Sequence, residues 1–332
     1  MEEKIDFVMI WVDGADKEWQ KEKNKYAGLP DEAINGDVRF RDWDNLKYWF
    51  RGVEKFAPWV NNVYFVTCGH YPKWLNLDCS KLKFVKHSDY MPEKYLPTFS
   101  SHAIELNLHR IEGLSEKFVY FNDDTFLTRN ANKEEFFEKG FPLRYVDEFI
   151  LPVEDRLLSY VQMTNLLTLK THFKKMEVVK KHFWKFFNYR NGLKPNIRKL
   201  CLLPFRNFSV FQDPHLPSPM LKSTFEEVWN AEPILLDKVS SDKFRQPIAV
   251  NQYLFKMWDI CLGRYMPTNY KNSKYMELTE KNYKNAAQDI RSQKYVQMCL
   301  NDVDCTVDFE KIKKEINSAF ESILPEKSSF EL

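Results

Sequence analysis

The stretch KFVYFNDDTFLTRN, residues 117–130, changes from apolar to acidic within a single residue. Residues 118–121 favour a buried β-strand, and Asn122, Asp123 and Asp124 follow at once. Adjacent carboxylates on an extended chain point to opposite faces and repel each other unless a cation or hydrogen bonds offset their charge. An ordinary strand-to-loop turn is the alternative, since Asn and Asp are common turn residues.

Three further apolar segments precede this strand and indicate the fold class; they lie at residues 5–12, 63–68 and 81–91. Segments with helical spacing or caps alternate with them and predict helices over 17–28, 44–59 and 100–114. The alternation predicts an α/β fold with a mostly parallel sheet flanked by helices. Ligands of such sheets bind beyond the carboxyl ends of the strands. Six polar side chains lie at those ends: Asp13, Asp16, Asp89, Asn122, Asp123 and Asp124.

The second half of the chain is helical and aromatic in pattern and predicts a helical subdomain, with 164–192 as its clearest amphipathic stretch. We therefore divide the chain into an α/β core (1–132), the helical subdomain (133–290), and a return segment with a final helix (291–332). Four lysines of the amphipathic stretch form either a solvated helix face or a face for a membrane or an acidic partner. They are Lys174, Lys175, Lys180 and Lys181.

The overall composition excludes several classes of protein. With 49 basic and 47 acidic residues, the net charge of +2 marks no nucleic-acid binder. The six cysteines are widely spaced without a C-x-x-C pair, which argues against a zinc site or a disulfide framework and favours a reducing compartment. No apolar run approaches the roughly 18 residues that span a bilayer, and no export signal is evident, so we expect a soluble protein.

Several blocks of the sequence, taken in order, resemble the Stealth family. They are IDFVMIWVDGAD, RFRDWDNLKYWFRGVEKFAPWVNNVYFVTCG, LPTFSSHAIELNLHRIEGLSEKFVYFNDD, FQDPHLP and QKYVQMCLND. That family comprises bacterial capsular polysaccharide phosphotransferases and the catalytic part of the eukaryotic lysosomal-enzyme N-acetylglucosamine-1-phosphotransferase. The resemblance extends over nearly the whole chain, but the chain has no room for the inserted modules and membrane segments of the animal members.

The resemblance implies a chemistry and its partners. It implies transfer of a sugar-1-phosphate from a UDP-sugar to a hydroxyl of an acceptor glycan, with release of UMP, in capsular or cell-surface polysaccharide synthesis. It also implies a Rossmann-like core and a divalent cation, Mg²⁺ or Mn²⁺. From it we expect a cytoplasmic bacterial enzyme, with peripheral association at the inner face of the membrane as an option. The oligomeric state stays open.

The carboxylates at the strand ends are the candidate metal and donor ligands. Mg²⁺ prefers hard oxygen ligands, so Asp123 and Asp124 beside Asn122 suit it. The resemblance favours donor contacts for Asp13 and Asp16, against an ordinary turn with an Asx cap. Gly14 lets backbone amides approach a pyrophosphate.

Basic side chains in two blocks are candidates for contacts with phosphate. Arg39 and Arg41 present planar guanidinium groups that bind phosphate through two hydrogen bonds, unless they pair with acidic neighbours on the surface. The resemblance assigns Arg245 to phosphate charge and Asn251, with Gln252, to polar contacts with sugar or phosphate. The alternative is that these residues stabilise a loop and do not contact the substrate.

His215 in the block DPHLP is the candidate general base. Prolines flank it in a rigid loop, and a histidine of near-neutral pKa suits removal of a proton from the acceptor hydroxyl. Asp213 is expected to orient its ring. A lone histidine is more often structural, but this block matches a family motif.

The remaining candidates come from a helix and from the end of the chain. His102 and His109 are seven residues apart and share a helical face, and with nearby Glu105 and Arg110 they are predicted to line the donor pocket or to support the residues that line it. The late pair Asn301 and Asp302 is expected to fold back to the same site, where Asp302 binds metal or braces His215.

Two other functions compete with this interpretation. A metal-dependent glycosyltransferase would also place paired aspartates at a strand end, but it would release UDP rather than UMP. A catalytically silent sugar-binding module would expose a rim of aromatic side chains, whereas the 9 Trp and 16 Tyr are scattered at core-like spacing.

Overall fold

The protein folds around a five-stranded sheet, shown by a computed structural model that describes residues 3–29, 42–151, 156–302 and 308–332. Four strands are parallel, and the fifth, β10, is antiparallel at the edge beside β4. The spatial order is β10-β4-β1-β2-β3. These strands are β1 (Ile5–Ile10), β2 (Val63–Thr67), β3 (Leu82–Lys86), β4 (Lys117–Phe121) and β10 (Ser218–Leu221).

The other strands of the described chain form three smaller sheets in the order β12-β13-β5, β11-β7-β6 and β8-β9. Their bounds are β5 (Thr125–Leu127), β6 (Phe137–Glu138), β7 (Phe141–Arg144), β8 (Glu148–Phe149), β9 (Val210–Phe211), β11 (Met266–Pro267), β12 (Ser273–Leu278) and β13 (Gln297–Asp302).

Helices cover the sheet and form most of the second half of the described chain. They are α1 (Lys17–Ala27), α2 (Leu46–Phe56), α3 (His87–Tyr90), α4 (Ser101–Leu106), α5 (Leu157–His172), α6 (Lys175–Lys181), α7 (Phe183–Phe186), α8 (Leu193–Leu202), α9 (Lys222–Ala231), α10 (Pro233–Ser241), α11 (Tyr253–Leu262), α12 (Tyr283–Arg291) and α13 (Phe309–Ile323).

The order of the parallel strands determines where a ligand can bind. The chain proceeds from β1 outward through β2 to β3 and then returns to place β4 on the other side of β1. A crevice opens at such a switch point, beyond the carboxyl ends of the two central strands. The fold class predicted from the alternation of strands and helices is confirmed. The domain division stays a prediction, although β10 shows that the middle of the chain also contributes to the main sheet.

Several local predictions need correction. The helix expected over 100–114 is a short helix, α4, followed by a 3₁₀ turn at Leu108–Arg110. The amphipathic stretch 164–192 is divided among α5, α6 and α7, because Phe173 and Lys174 are extended between the first two. The helix expected over 44–59 is α2, Leu46–Phe56, and it does not include Asp44, whose φ is +50°.

The lysines of that stretch do not form a uniform solvent face. Lys175 is buried and donates a hydrogen bond to Oε1 of Glu148 at 2.8 Å, whereas Lys174 is exposed. The prediction for Lys175 was therefore wrong, because its side chain turns inward to a buried carboxylate. None of the helices in the described parts of the chain is long and apolar enough to cross a bilayer.

Candidate active site

A cleft of about 1100 Å³ opens at the carboxyl ends of β1 and β4. Its walls include the ends of β1, β4 and β13, helix α4, and the loops around 213–215 and 244–253. It collects thirteen of the candidates identified from the sequence. They are Asp13, Gly14, His102, Glu105, Asn122, Asp123, Asp124, His215, Arg245, Asn251, Gln252, Asn301 and Asp302.

Asp124 is the centre of the densest cluster in the cleft. Its Oδ2 lies 3.4 Å from Nε2 of His215 and accepts a hydrogen bond from the thiol of Cys299 at 3.2 Å. Its backbone carbonyl accepts a hydrogen bond from the amide of Leu300 at 2.8 Å, so the pairing of β13 with β5 fixes its position. Its Oδ1 is buried and has no hydrogen-bond partner among the described residues.

His215 is held in an unusual backbone conformation, with φ of +48°. Its amide donates to Oδ1 of Asp213 at 3.0 Å, while Oδ2 of that carboxylate accepts from Lys256 at 2.7 Å. Asp213 therefore positions the backbone of His215, and the ring contact predicted from the sequence is made instead by the hydroxyl of Tyr253, 3.3 Å from Nδ1. Burial lowers the pKa of His215, but the hydrogen bond and charge of Asp124 outweigh it and raise that pKa above its ordinary value.

Asp123 is exposed to the cleft. Partial desolvation in the cleft and the negative charge of adjacent Asp124 raise the pKa of Asp123 above its ordinary value. Adjacent Asn122 accepts a hydrogen bond from Tyr120 at 2.7 Å, and its carbonyl accepts one from Thr125. The two carboxylates are therefore anchored at the end of β4 but mutually repulsive, an arrangement that added positive charge would stabilise.

At the end of β1, the expected donor residues divide into two groups. Asp13 and Gly14 line the cleft, and the amide of Asp13 donates to Nε2 of His70 at 2.8 Å. The other ring nitrogen of His70 then carries the proton and lies 3.2 Å from Oδ2 of Asp16. Asp16 also caps α1 by accepting from Glu18 and Trp19, and it is not among the residues that line the cleft.

Helix α4 contributes a buried polar wall. Burial raises the pKa of Glu105 to about 7, partly offset by the charge of Arg245, and its Oε1 faces the amide of Gln252 at 3.4 Å. Nδ1 of His102 and Oε1 of Gln252 are buried in the cleft wall without hydrogen-bond partners among the described residues. Asn251 accepts from Asn165 at 3.0 Å. Such buried polar atoms are costly unless a ligand or water satisfies them.

The predicted arginines differ in their positions. Arg245 is exposed at the cleft and donates to the hydroxyl of Ser101 at 2.6 Å. Arg110 lies outside the cleft, bonded to Asn107 at 2.9 Å and placed over the ring of Trp229. Arg39 and Arg41 lie outside the described residues.

The late Asn-Asp pair folds back to the cleft as expected. Asn301 donates to the hydroxyl of Tyr275 at 3.2 Å, and Oδ2 of Asp302 accepts from the indole of Trp43 at 3.2 Å. Within the described residues, neither Asn301 nor Asp302 forms a hydrogen bond or an ion pair with His215. Asp89, another strand-end candidate, bonds to the amide of Lys86 and starts α3.

Several participants were missed by the sequence analysis. His70 follows β2 and was detectable by the same strand-end rule that selected Asp13. Tyr253 and Lys256 follow Asn251 on α11, but only the fold shows that this helix passes behind His215. Cys299 has no sequence signal of its own, since its contact depends on β13 lying beside β5.

The donor set at Asp124 fits a hard divalent cation. The ligand atoms of Asp124, His215 and Cys299 lie within 4.8 Å of one another. Burial and the charge of Asp124 raise the pKa of the Cys299 thiol well above its usual range, so it stays protonated and acts as a donor rather than as a soft thiolate ligand. The partnerless Oδ1 of Asp124, with adjacent Asp123, supplies the oxygen ligands that Mg²⁺ or Mn²⁺ takes.

Comparison with known proteins gives consistent matches over the full length of the chain. Residues 39–144 match Stealth protein CR2, conserved region 2. The chain is 41% identical over 334 residues to a capsular polysaccharide phosphotransferase of Streptococcus pneumoniae, covering 100% of both chains. It is 40% identical over 341 residues to a receptor polysaccharide phosphotransferase of Streptococcus gordonii, again with 100% coverage of both. An exopolysaccharide phosphotransferase of Lactiplantibacillus plantarum is 40% identical and covers 98% of this chain and 96% of its own.

Among solved structures, a galactosyltransferase in complex with donor and acceptor sugar analogues aligns with 94% of this chain and 95% of its own. Its sequence identity is 10% and the TM-score is 0.34.

Proposed function

The chain belongs to the Stealth family of polysaccharide phosphotransferases, and on this basis we propose that it transfers a sugar-1-phosphate from a UDP-sugar to a hydroxyl of an acceptor glycan. One arrangement supports the proposal: Asp124, whose Oδ2 lies 3.4 Å from Nε2 of His215 and whose Oδ1 has no hydrogen-bond partner among the described residues, shares its cleft with Arg245. A cation ligand, a proton acceptor and a phosphate contact therefore face one cavity. Capsular or exopolysaccharide synthesis is the process that uses this transfer.

The reaction breaks the bond between the two phosphates of the donor and keeps the bond between the sugar and its phosphate. The acceptor oxygen forms a new bond to the phosphorus that carries the sugar, and UMP leaves. His215 receives the proton of the acceptor hydroxyl. Its contact with Asp124, at 3.4 Å, is long for a hydrogen bond, so an acceptor hydroxyl can replace it at low cost.

The other residues of the cleft bind and orient. Tyr253 holds the ring of His215 through Nδ1, and Asp213 with Lys256 holds its backbone. Arg245 provides positive charge for the phosphate oxygens, whose charge shifts toward UMP as the bond breaks. Asp13 and Gly14 meet the donor from the end of β1, and Asn251, Gln252 and Asn301 supply polar contacts to the sugar.

Asp123 and Asp124 would hold Mg²⁺ or Mn²⁺, which neutralises charge on the pyrophosphate when bound. In this arrangement, the thiol of Cys299 donates a hydrogen bond to Oδ2 of Asp124 and so keeps this carboxylate oriented. The division of tasks is chemically reasonable, since a carboxylate bound to a dication is a poor proton acceptor, while a neutral imidazole is a good one.

A metal-dependent glycosyltransferase is the second candidate, because a cation between carboxylates at a strand end also holds UDP-sugars in that class. The two reactions differ in the nucleotide that they release. Incubating the purified protein with a panel of UDP-sugars, MgCl₂ and a short glycan acceptor, and then identifying the nucleotide by mass, separates them. Release of UMP with a phosphodiester-linked product supports phosphotransfer, whereas release of UDP with a glycosidic product overturns it.

We further propose a cytoplasmic location, at the inner face of the membrane. Five cysteines in the described chain are free thiols, as expected in a reducing compartment. The UDP-sugar donor and the acceptor glycan are the partners of the reaction, and nucleic acid is not among them.

A further inference from the structure

Helix α8 presents a row of apolar side chains to solvent. Leu193, Ile197 and Leu200 are 76%, 53% and 61% exposed, and their spacing of four and three residues places them on one helical face. Pro195, Lys199 and Leu202 are buried on the opposite side. The exposed row thus leaves uncovered the kind of surface that a globular protein normally buries.

Helix α5 has a matching exposed row of Tyr160, Met163 and Leu167, each at least 46% exposed. Met163 and Leu167 form one side of an apolar groove of about 430 Å³, and Phe205, 60% exposed, lies on its other side. Lys170 and Arg206 line the same groove, and both are exposed. The lining also includes Asn207, Ser209 and Glu148, which is paired with buried Lys175, so the groove is mainly apolar inside and cationic at its rim.

The charge of this region is one-sided. Residues 157–209, which contain α5, α6, α7 and α8 and are called the α5–α8 face below, include seven exposed Lys and Arg residues but only one acidic residue, Glu177. The whole chain has a formal net charge of only +2. A cationic region that also exposes large apolar side chains is complementary to a surface with anionic groups above an apolar interior.

We propose that the α5–α8 face docks on an anionic lipid bilayer. The exposed leucines, isoleucine and aromatic rings enter the boundary between headgroups and acyl chains, and the lysines and arginines contact the lipid phosphates. A second copy of this chain is disfavoured as the occupant, because two such faces would bring like charges together across an apolar interface.

Helix α5 connects this face to the active cleft. Leu157, Leu158 and Gln162 line the cleft, whereas Met163 and Leu167 line the apolar groove. At a rise of 1.5 Å per residue, Gln162 and Leu167 are about 8 Å apart along the helix axis. Docking therefore holds the cleft close to the membrane, where it meets an acceptor glycan anchored in the bilayer. This last step rests on the proposed function; the docking itself does not.

Vesicle sedimentation tests the docking directly. The full chain should pellet with vesicles of phosphatidylglycerol and phosphatidylcholine, much less with phosphatidylcholine alone, and less as salt is added. The double variant Leu167→Glu/Phe205→Glu should bind the anionic vesicles at least about tenfold more weakly, since it removes apolar contact and adds negative charge. A second variant, Lys170→Glu/Arg206→Glu, should weaken binding by a similar factor without touching the apolar row.

A matched control keeps charge and folding comparable. Ile234→Glu/Leu77→Glu changes two exposed apolar residues elsewhere by the same charge, and should bind within about twofold of wild type. With an acceptor in solution, the Leu167→Glu/Phe205→Glu variant should transfer as wild type does, whereas with an acceptor held on anionic vesicles its rate should fall. Failure of transfer by wild type would contradict the proposed function and leave the vesicle result intact.

Three results would overturn the docking proposal. The first is wild-type protein that stays in the supernatant with anionic vesicles, and the second is equal binding by the face variants and the control. The third is a wild-type dimer, measured by light scattering, that the face variants dissociate while vesicle binding is unchanged, because the face would then be an interface between two copies.

Discussion

Nε2 of His215 lies 3.4 Å from Oδ2 of Asp124, although helices α5 to α8 separate the two residues in the chain. The loop that carries His215 precedes β10, which pairs with β4, the strand that ends just before Asp124. The main sheet therefore brings the proton acceptor and the candidate cation ligand to the same edge. Their contact also explains why the pKa of His215 is raised despite its burial.

The first prediction concerns His215 as the general base. His215→Ala should lower kcat by about 10² to 10⁴, the usual contribution of a general base. Binding of the UDP-sugar should be nearly unchanged, because the ring meets the acceptor rather than the donor. In wild type the rate should fall as pH drops through the pKa of His215, which lies above its ordinary value, because only the neutral ring accepts a proton. This acidic limb should disappear in the variant.

His172→Ala is the matched control, since His172 pairs with Glu232 away from the cleft and its loss should leave kcat and the pH profile as they are. If His215→Ala keeps wild-type turnover between about pH 6 and 8, the base lies elsewhere, and Asp302 becomes the first candidate.

The second prediction concerns the cation. Excess chelator should abolish transfer and added Mg²⁺ should restore it, because the adjacent carboxylates of Asp123 and Asp124 need a positive partner to hold a pyrophosphate. Asp124→Asn should remove activity while circular dichroism and the denaturation midpoint stay close to those of wild type. Transfer at full rate in excess chelator would contradict the metal assignment.

The third prediction is the effect of pH on stability through Glu105. Burial raises the pKa of this carboxyl to about 7, above the 4.5 of a solvated glutamate. Between these values the folded chain keeps a proton that the unfolded chain has released, so Glu105 lowers the free energy of unfolding as pH rises from about 4.5 to 7. Glu105→Gln should match wild type near pH 4.5 and become more stable above pH 7, by up to about 3 kcal/mol.

Urea denaturation of both proteins at several pH values measures this divergence directly. The exposed Glu112→Gln should run parallel to wild type over the same range. Parallel curves for Glu105→Gln as well would show that Glu105 is ionised in the folded protein throughout, contrary to the expected protonation.

The fourth prediction compares two neighbouring lysines. Lys175 and Glu148 form a fully buried ion pair at 2.8 Å, and Lys175 also donates to the carbonyl of Leu202 at 2.7 Å. Lys175→Ala should lower the free energy of unfolding by about 3 to 5 kcal/mol, because it leaves a buried carboxylate without its partner. Lys174→Ala, at an exposed site paired with Glu177, should change it by less than about 0.5 kcal/mol. Equal effects of the two substitutions would show that burial of the Lys175–Glu148 pair does not contribute to the free energy of unfolding.

Local pattern was sufficient to predict the four parallel strands of the main sheet, but it did not predict the antiparallel strand β10. The apolar run 117–121 coincides with β4, and α1 ends at Gly28, the last residue of the helix predicted over 17–28, in the left-handed conformation that glycine favours. Strand-end reasoning also placed Asp13, Asp123 and Asp124 at one edge, because parallel strands direct their carboxyl ends to the same side. These features depend on neighbours in sequence, which is why they could be predicted.

What the sequence by itself determined, then, is the alternation of elements and the residue types that follow each strand. The tertiary structure alone decided which of those residues share a cavity: Arg110 turns to Trp229, Asp16 caps a helix, and Cys299 joins Asp124 across paired strands. The tertiary structure also decided that the side chain of Lys175 is buried while that of Lys174 is exposed to solvent. The physical reason is that side-chain partners far apart in the chain are selected by strand register and by desolvation, and neither is encoded in the local periodicity.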